Sequence, residues 1–190
     1  MLNFAYRSRL LFCLVCLALV LACSPCGWLS QARIRLPDRP LQVSQDAAQR
    51  LEDKLQGAWD PQSEGQFRLH VTDDELTSYL NTKMNNRESI PLSEARVWLT
   101  RGRIYVAGEL RSDSLPLSGQ AAFVISAQVV DDQVKLHVEQ ASIGPVPIPR
   151  AFTVSIEEMV NGALAQAQLH VRIIELEILE GEAILVAAPN

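Results

Sequence analysis

Beyond residue 26 the chain has no cysteine: Cys13, Cys16, Cys23 and Cys26 are all that it holds. That absence excludes a disulfide framework and thiol catalysis from the rest of the chain. Each pair is spaced as CxxC, but both lie in or beside a hydrophobic run with no polar second shell, which argues against zinc. Aromatic residues are few, at 6%, so the apolar content is mostly Val, Ile, Leu and Ala. A G-x-S-x-G elbow, a phosphate-binding Gly-rich loop and H-E-x-x-H are all missing. His70, His137 and His170 stand far apart in expected strands, none with a second ligand at metal spacing. Cations are in deficit too. There are 17 Lys+Arg against 22 Asp+Glu, a net of −5. Residues 1–23 contain Arg7 and Arg9 and no acid, which leaves 15 basic against 22 acidic groups and a net of −7 for the remainder. Such a body suits neither nucleic acid nor a broad electrostatic footprint on an anionic membrane. No catalytic group, cofactor or metal is expected.

What is present begins with a leader. Arg7 and Arg9 precede thirteen uncharged residues, 10–22, a positive n-region and an h-region of signal-peptide length. The run ends Val20-Leu21-Ala22-Cys23, which resembles the lipobox of bacterial lipoproteins, with Cys23 as the residue to be lipidated. The rival is an uncleaved anchor, since an extension through Trp28 and Leu29 reaches about twenty residues, enough to span a bilayer. Residues 1–29 are therefore expected to be a signal, lipoprotein or transmembrane segment, and residues 30–43, with Pro37 and Pro40, a linker. Both routes hold an extracytoplasmic body at the outer face of the bacterial cytoplasmic membrane, and a fully released secreted protein is the remaining alternative.

Residues 44–190 read as one α+β domain. Ser44 is placed to cap a helix with Ala48, Leu51, Leu55 and Ala58 on one side. Phe67, Leu69 and Val71 alternate with Arg68 and His70 as a strand. Thr72-Asp73-Asp74-Glu75 has the form of a capping box, which accounts for its acids, ahead of a helix whose apolar face is Leu76, Tyr79, Leu80 and Met84. A meander of strands follows Pro91, turning at Arg101-Gly102 and at Asp131-Asp132. A third helix pattern runs from residue 152 to 167. Phe152, Ile156, Met159, Val160, Ala163, Leu164 and Ala167 form its apolar face, with Ser155, Glu157, Glu158, Asn161 and Gln166 opposite. After it, Val171 and Ile173 alternate, then Ile174, Leu176 and Ile178. The phase slips by one at Ile173-Ile174, which predicts a bulge or bend. Glu180-Gly181 is the last turn, and Glu175, Glu177, Glu180 and Glu182 make a solvated face. One long apolar helix among amphipathic strands predicts a strongly curved antiparallel sheet wrapped around it, with two shorter helices.

Four stretches carry a resemblance. Residues 72–81, Thr-Asp-Asp-Glu-Leu-Thr-Ser-Tyr-Leu-Asn, resemble a helix start of the LmeA-like and YpmS-like bacterial envelope proteins. The hairpin of residues 97–106, turning at Gly102, is similar to theirs, as is Ile143-Gly144-Pro145-Val146-Pro147-Ile148-Pro149, their approach to a long helix. The final hairpin with its Glu180-Gly181 turn matches as well. The likeness covers residues 66–187 and implies export, membrane anchoring and a phospholipid or other apolar ligand, with a distant likeness to tubular lipid-binding domains. It supplies no catalytic residue. The ligand is expected in a groove between the long helix and the concave face of the sheet, entered near residues 145–149. Phe152, Ile156, Met159 and Val160 would line it, with Val106, Val124 and Val138 opposite. The competing expectation is an envelope interaction module with a fully packed core and no ligand.

Overall fold

Ser44 caps the first element. In the computed structural model, which describes residues 34–58, 65–85, 92–110, 119–167 and 171–189, its Oγ accepts the Ala47 N–H at 3.1 Å. All described residues belong to the unit running from Ile34 to Asn190. Helix α1 (Gln45–Ala58) follows, burying Ala47, Ala48 and Leu51. Strand β1 (Phe67–Thr72) leads into α2 (Asp73–Asn85) through the expected capping box. Thr72 Oγ1 accepts the Glu75 N–H at 3.3 Å, and Glu75 Oε2 accepts the Thr72 N–H at 3.2 Å. The meander comprises β2 (Leu92–Thr100), β3 (Arg103–Leu110), β4 (Gly119–Val130), β5 (Gln133–Ile143) and the two-residue β6 (Val146–Pro147). Helix α3 (Arg150–Ala167) and the hairpin of β7 (Val171–Ile178) and β8 (Glu182–Pro189) complete the described chain.

The class is α+β and every described strand pair is antiparallel. The strands form two sheets, one ordered β2-β3-β4-β5-β6 and one ordered β1-β8-β7, where a single curved sheet was expected. The reason is connectivity. Short turns chain the meander into one sheet, with positive φ at Arg101 and Gly102 and at Asp131 and Asp132, as tight hairpins require. The 18-residue α3 then carries the chain away, and β1, which has no sequential hairpin partner, pairs with β8. Alternation within a strand does not say which sheet it joins. The expected phase slip is real: the β7–β8 register shifts between Ile173 and Glu175, leaving Ile174 exposed. With that residue bulged out, Val171 and Ile173 before it and Leu176 and Ile178 after it share one face.

Backbone bonds between turn and strand join the two sheets. Gly102 N donates to Ile178 O at 2.9 Å, Gly181 N to Leu99 O at 2.9 Å, and Ile173 N to Asp132 O at 2.8 Å. Arg39 sits at this joint. Its guanidinium pairs with Asp73 and Glu180 and donates to Leu99 O at 3.1 Å, while its carbonyl accepts the Trp98 indole N–H at 2.9 Å. Gln42 N donates to Asp74 Oδ1 at 2.8 Å. The later part of the stretch read as a linker is thus bonded to α2 and β2.

Two helices lie along the edges of the five-stranded sheet. Against β2, Asp73 Oδ1 accepts the Leu99 N–H at 2.8 Å. Thr77 Oγ1 accepts the Val97 N–H at 3.0 Å and donates to Val97 O at 3.2 Å. Asn81 Nδ2 donates to Ala95 O at 2.7 Å. These side chains recur every four residues of α2 and meet every second residue of β2. Against β5, Asn161 holds both backbone groups of Leu136 at 2.8 Å. Glu157 Oε2 accepts the Val138 N–H at 3.1 Å, and Arg150 donates to Val138 O at 2.8 Å. The helical faces differ from expectation accordingly. In α2 the polar residues Asp73 (4% exposed) and Thr77 (0%) are buried, while Leu76, Tyr79, Leu80 and Met84 are half-buried. In α3, Glu157 and Asn161 face the sheet. An unpaired strand edge must be satisfied, and that demand outweighs burial of a moderate apolar stripe.

Thr77→Val keeps the shape of the side chain and strands both Val97 backbone groups in the interior. It is expected to destabilise by about 1–3 kcal/mol, read as a lower urea midpoint at unchanged m-value. An unchanged midpoint would show that the edge contact is not part of the stability.

Candidate functional site

Between the two sheets lies a cavity of about 340 Å³, and every described residue that lines it is aliphatic or phenylalanine. Strand β7 supplies Val171, Ile173, Leu176 and Ile178. All four reach the cavity because the Ile174 bulge corrects the alternation between them. Opposite them stand Leu99, Ile104 and Ala127 from three strands of the meander. The three helices add Leu55, Leu76 and Leu164. The cavity is bordered by elements that meet edge to edge, through the turn-to-strand bonds of the joint, and not by a helix pressed onto a sheet face.

The residues expected to line a groove are placed elsewhere, and none of the seven lines this cavity. Phe152 is 63% exposed, Met159 is 73% exposed and Val160 is also exposed; Ile156 is half-buried. Because Glu157 and Asn161 turn toward β5, the stripe centred on Phe152, Ile156 and Met159 is rotated away from the sheet, and Leu164 is what α3 gives the cavity wall. Val106 is half-buried, two residues beyond Ile104 on the same face of β3. Val124 is buried on the face of β4 opposite Ala127, by strand alternation. The proline-rich approach forms the edge strand β6, paired with Ser142 and Ile143. Cys23 and the leader lie outside the described residues, as does His170.

The polar groups around the cavity hold its walls. Glu75 is bonded by Lys54 Nζ at 2.8 Å to each carboxylate oxygen, with Arg50 at 3.6 Å. Burial pushes its pKa up, but Lys54, the Thr72 N–H and Arg50 together outweigh burial and bring it below the ordinary carboxylate value. Glu157 is balanced in the same way. Burial raises it, and the Val138 N–H, His137 and Arg150 bring it down. His137 Nδ1 lies 3.1 Å from Glu157, and His70 Nε2 lies 2.6 Å from Glu182. Among the described residues no three His, Cys, Asp or Glu side chains gather as a metal site, and no helix is long and apolar enough to cross a membrane. No protein-family model matches the chain, and no curated protein sequence does either.

A folded-state pKa held below the ordinary 4.5 gives Glu157 a stabilising contribution that is complete above that value. The contribution is lost as pH falls through the folded value. Glu157→Gln is therefore expected to be less stable than wild type by about 1–2 kcal/mol at neutral pH. The difference should shrink as pH drops below the ordinary carboxylate range, in thermal melts taken across that range. A gap independent of pH would mean that the charge on Glu157 does not hold α3 to β5.

Proposed function

We propose that this chain is an exported, membrane-tethered, non-enzymatic binding protein, and that the cavity between its sheets holds the acyl part of a phospholipid or another apolar ligand. The observation that carries this is a partly open pocket of about 340 Å³ whose described lining residues are all apolar. Protein interiors normally leave few voids larger than a water molecule. A space lined only by hydrocarbon stays dry, so its walls forgo dispersion contacts that an apolar guest restores. The volume is within the ordinary range of small-molecule sites, roughly 300–1,000 Å³. The lining offers no acid, base or nucleophile, which fits binding and not turnover.

On this reading the leader with Arg7 and Arg9 exports the body. Either a lipidated Cys23 or an uncleaved span then keeps it at the outer face of the cytoplasmic membrane, next to a supply of lipid. Kinship with the LmeA-like and YpmS-like envelope proteins is part of the same proposal, and the order of the capping box, the Gly102 hairpin and the proline-rich approach supports it. A second reading, an envelope interaction module, is favoured by one observation: Phe152 and Met159 stand exposed on α3. It concerns a different surface.

Ala127→Phe places a ring in the cavity. In the unit starting at residue 34, so that Arg39 and Gln42 keep their bonds, the variant is expected to lose uptake of a fluorescent fatty acid while its Tm holds or rises. In a filled core the same change would overpack and cost about 1–3 kcal/mol. A wild type that takes up no fatty acid defeats the proposal, and a stable Ala127→Phe with full uptake moves the site elsewhere.

A further inference from the structure

The apolar cavity is not the only space at its end of the molecule. A second depression of about 350 Å³ is lined by Lys54, Gly57, Ala58 and residues 67–70. It shares Ala58, Phe67 and Leu69 with the cavity. Strand β1 is an edge strand of its sheet, and its side chains alternate. Phe67 and Leu69 point to the cavity, and Arg68 and His70 to the other side. The depression therefore curls round the free edge of β1, from a hydrocarbon wall to a wall bearing nitrogen groups.

Those nitrogen groups differ in commitment. Lys54 Nζ is tied to both oxygens of Glu75 and to His70 O, the latter at 2.9 Å. His70 is tied to Glu182. Arg68 is exposed and has no hydrogen bond or ion pair among the described residues. Its backbone adds a second donor. In an antiparallel ladder the N–H and C=O of one residue point to the same side, and residues two apart agree. His70 O is turned out of the sheet to reach Lys54, so the Arg68 N–H faces the depression as well. A guanidinium with a backbone N–H beside it suits a carboxylate or phosphate oxygen.

We infer that the site takes an anionic amphiphile, with an acyl chain in the apolar cavity and its anionic head held at Arg68 on the rim. This rests on the cavity being a ligand site and adds the class of ligand. The head charge follows from the rim, where Lys54 is tied to Glu75 and His70 to Glu182, while the Arg68 guanidinium has no partner among the described residues. The body as a whole is acidic, so attraction of an anion here is local to Arg68.

The test uses the full chain in nanodiscs of phosphatidylcholine, with protein-free discs to subtract partition. The probes are cis-parinaric acid and its methyl ester, read by energy transfer from tryptophan. Wild type is expected to bind the acid about tenfold more tightly than the ester. Arg68→Glu should remove that preference and leave ester binding unchanged, which also shows that the fold is intact, and Arg68→Lys should keep most of it. Competition then separates the two sources of the shared chemistry: lysophosphatidylglycerol displacing parinarate more effectively than unlabelled laurate identifies a phosphate head, and the reverse a carboxylate. Equal binding of acid and ester, or an acid preference that survives Arg68→Glu, overturns the head-group assignment while the cavity stands. Uptake of neither probe removes the cavity reading itself, and the assignment with it.

Discussion

Two helices in this protein are docked by their polar side chains on the edges of a sheet, and the match of spacings makes that possible. Four residues of helix advance about 6.0 Å along the axis, and two residues of strand advance about 6.6 Å. Side chains at i, i+4 and i+8 of a helix can therefore meet alternate residues of a neighbouring strand. Asp73, Thr77 and Asn81 do this on Leu99, Val97 and Ala95. Glu157 and Asn161 do it on Val138 and Leu136. The backbone groups of a sheet edge are satisfied without another strand, which removes a template for unwanted pairing.

The cavity is a consequence. A helix lying across the sheet face would push its long apolar side chains into the space between the sheets. Helix α3 lies on the edge instead, with Phe152 and Met159 turned outward, so that space is lined by strand side chains and residues near helix ends and is left open. What keeps the sheets in place around it is the joint at Asp73. One oxygen of this buried carboxylate accepts from Leu99, the other pairs with Arg39, and its own N–H reaches Gly181 O at 3.1 Å. A buried carboxylate without its cation is strongly unfavourable, so the binding of α2 to β2 and of one sheet to the other both depend on Arg39.

Local structure was legible in the sequence wherever a side chain's own backbone decides the outcome. The Ser44 cap, the Thr72–Glu75 box, the turns at Gly102 and Asp131-Asp132, and the slip at Ile173-Ile174 all rest on interactions within a few residues. The α+β class followed from counting such elements. The helix faces were not legible, because Glu157 and Asn161 look solvent-facing by composition, and only the presence of an unpaired edge on β5 makes them interior. Arg39 looked like part of a linker, since its partners Asp73 and Glu180 are 34 and 141 residues away. The cavity was equally hidden. Val, Ile and Leu at strand spacing describe a filled core and an empty one alike, and volume is a property of the assembled walls. One signal did point to it: the four apolar residues of β7 line up only if the chain bulges, and all four became cavity wall.

The account stands or falls on whether the space between the sheets is a binding site. Native mass spectrometry of residues 34–190, expressed in an exporting bacterial host and purified without detergent, reads this directly. The account predicts a second species heavier by the mass of one lipid per protein, stripped by collisional activation and restored by adding a fatty acid. A single unliganded mass that stays single after fatty acid is added would contradict it, and would leave the cavity an unfilled gap in an interaction module.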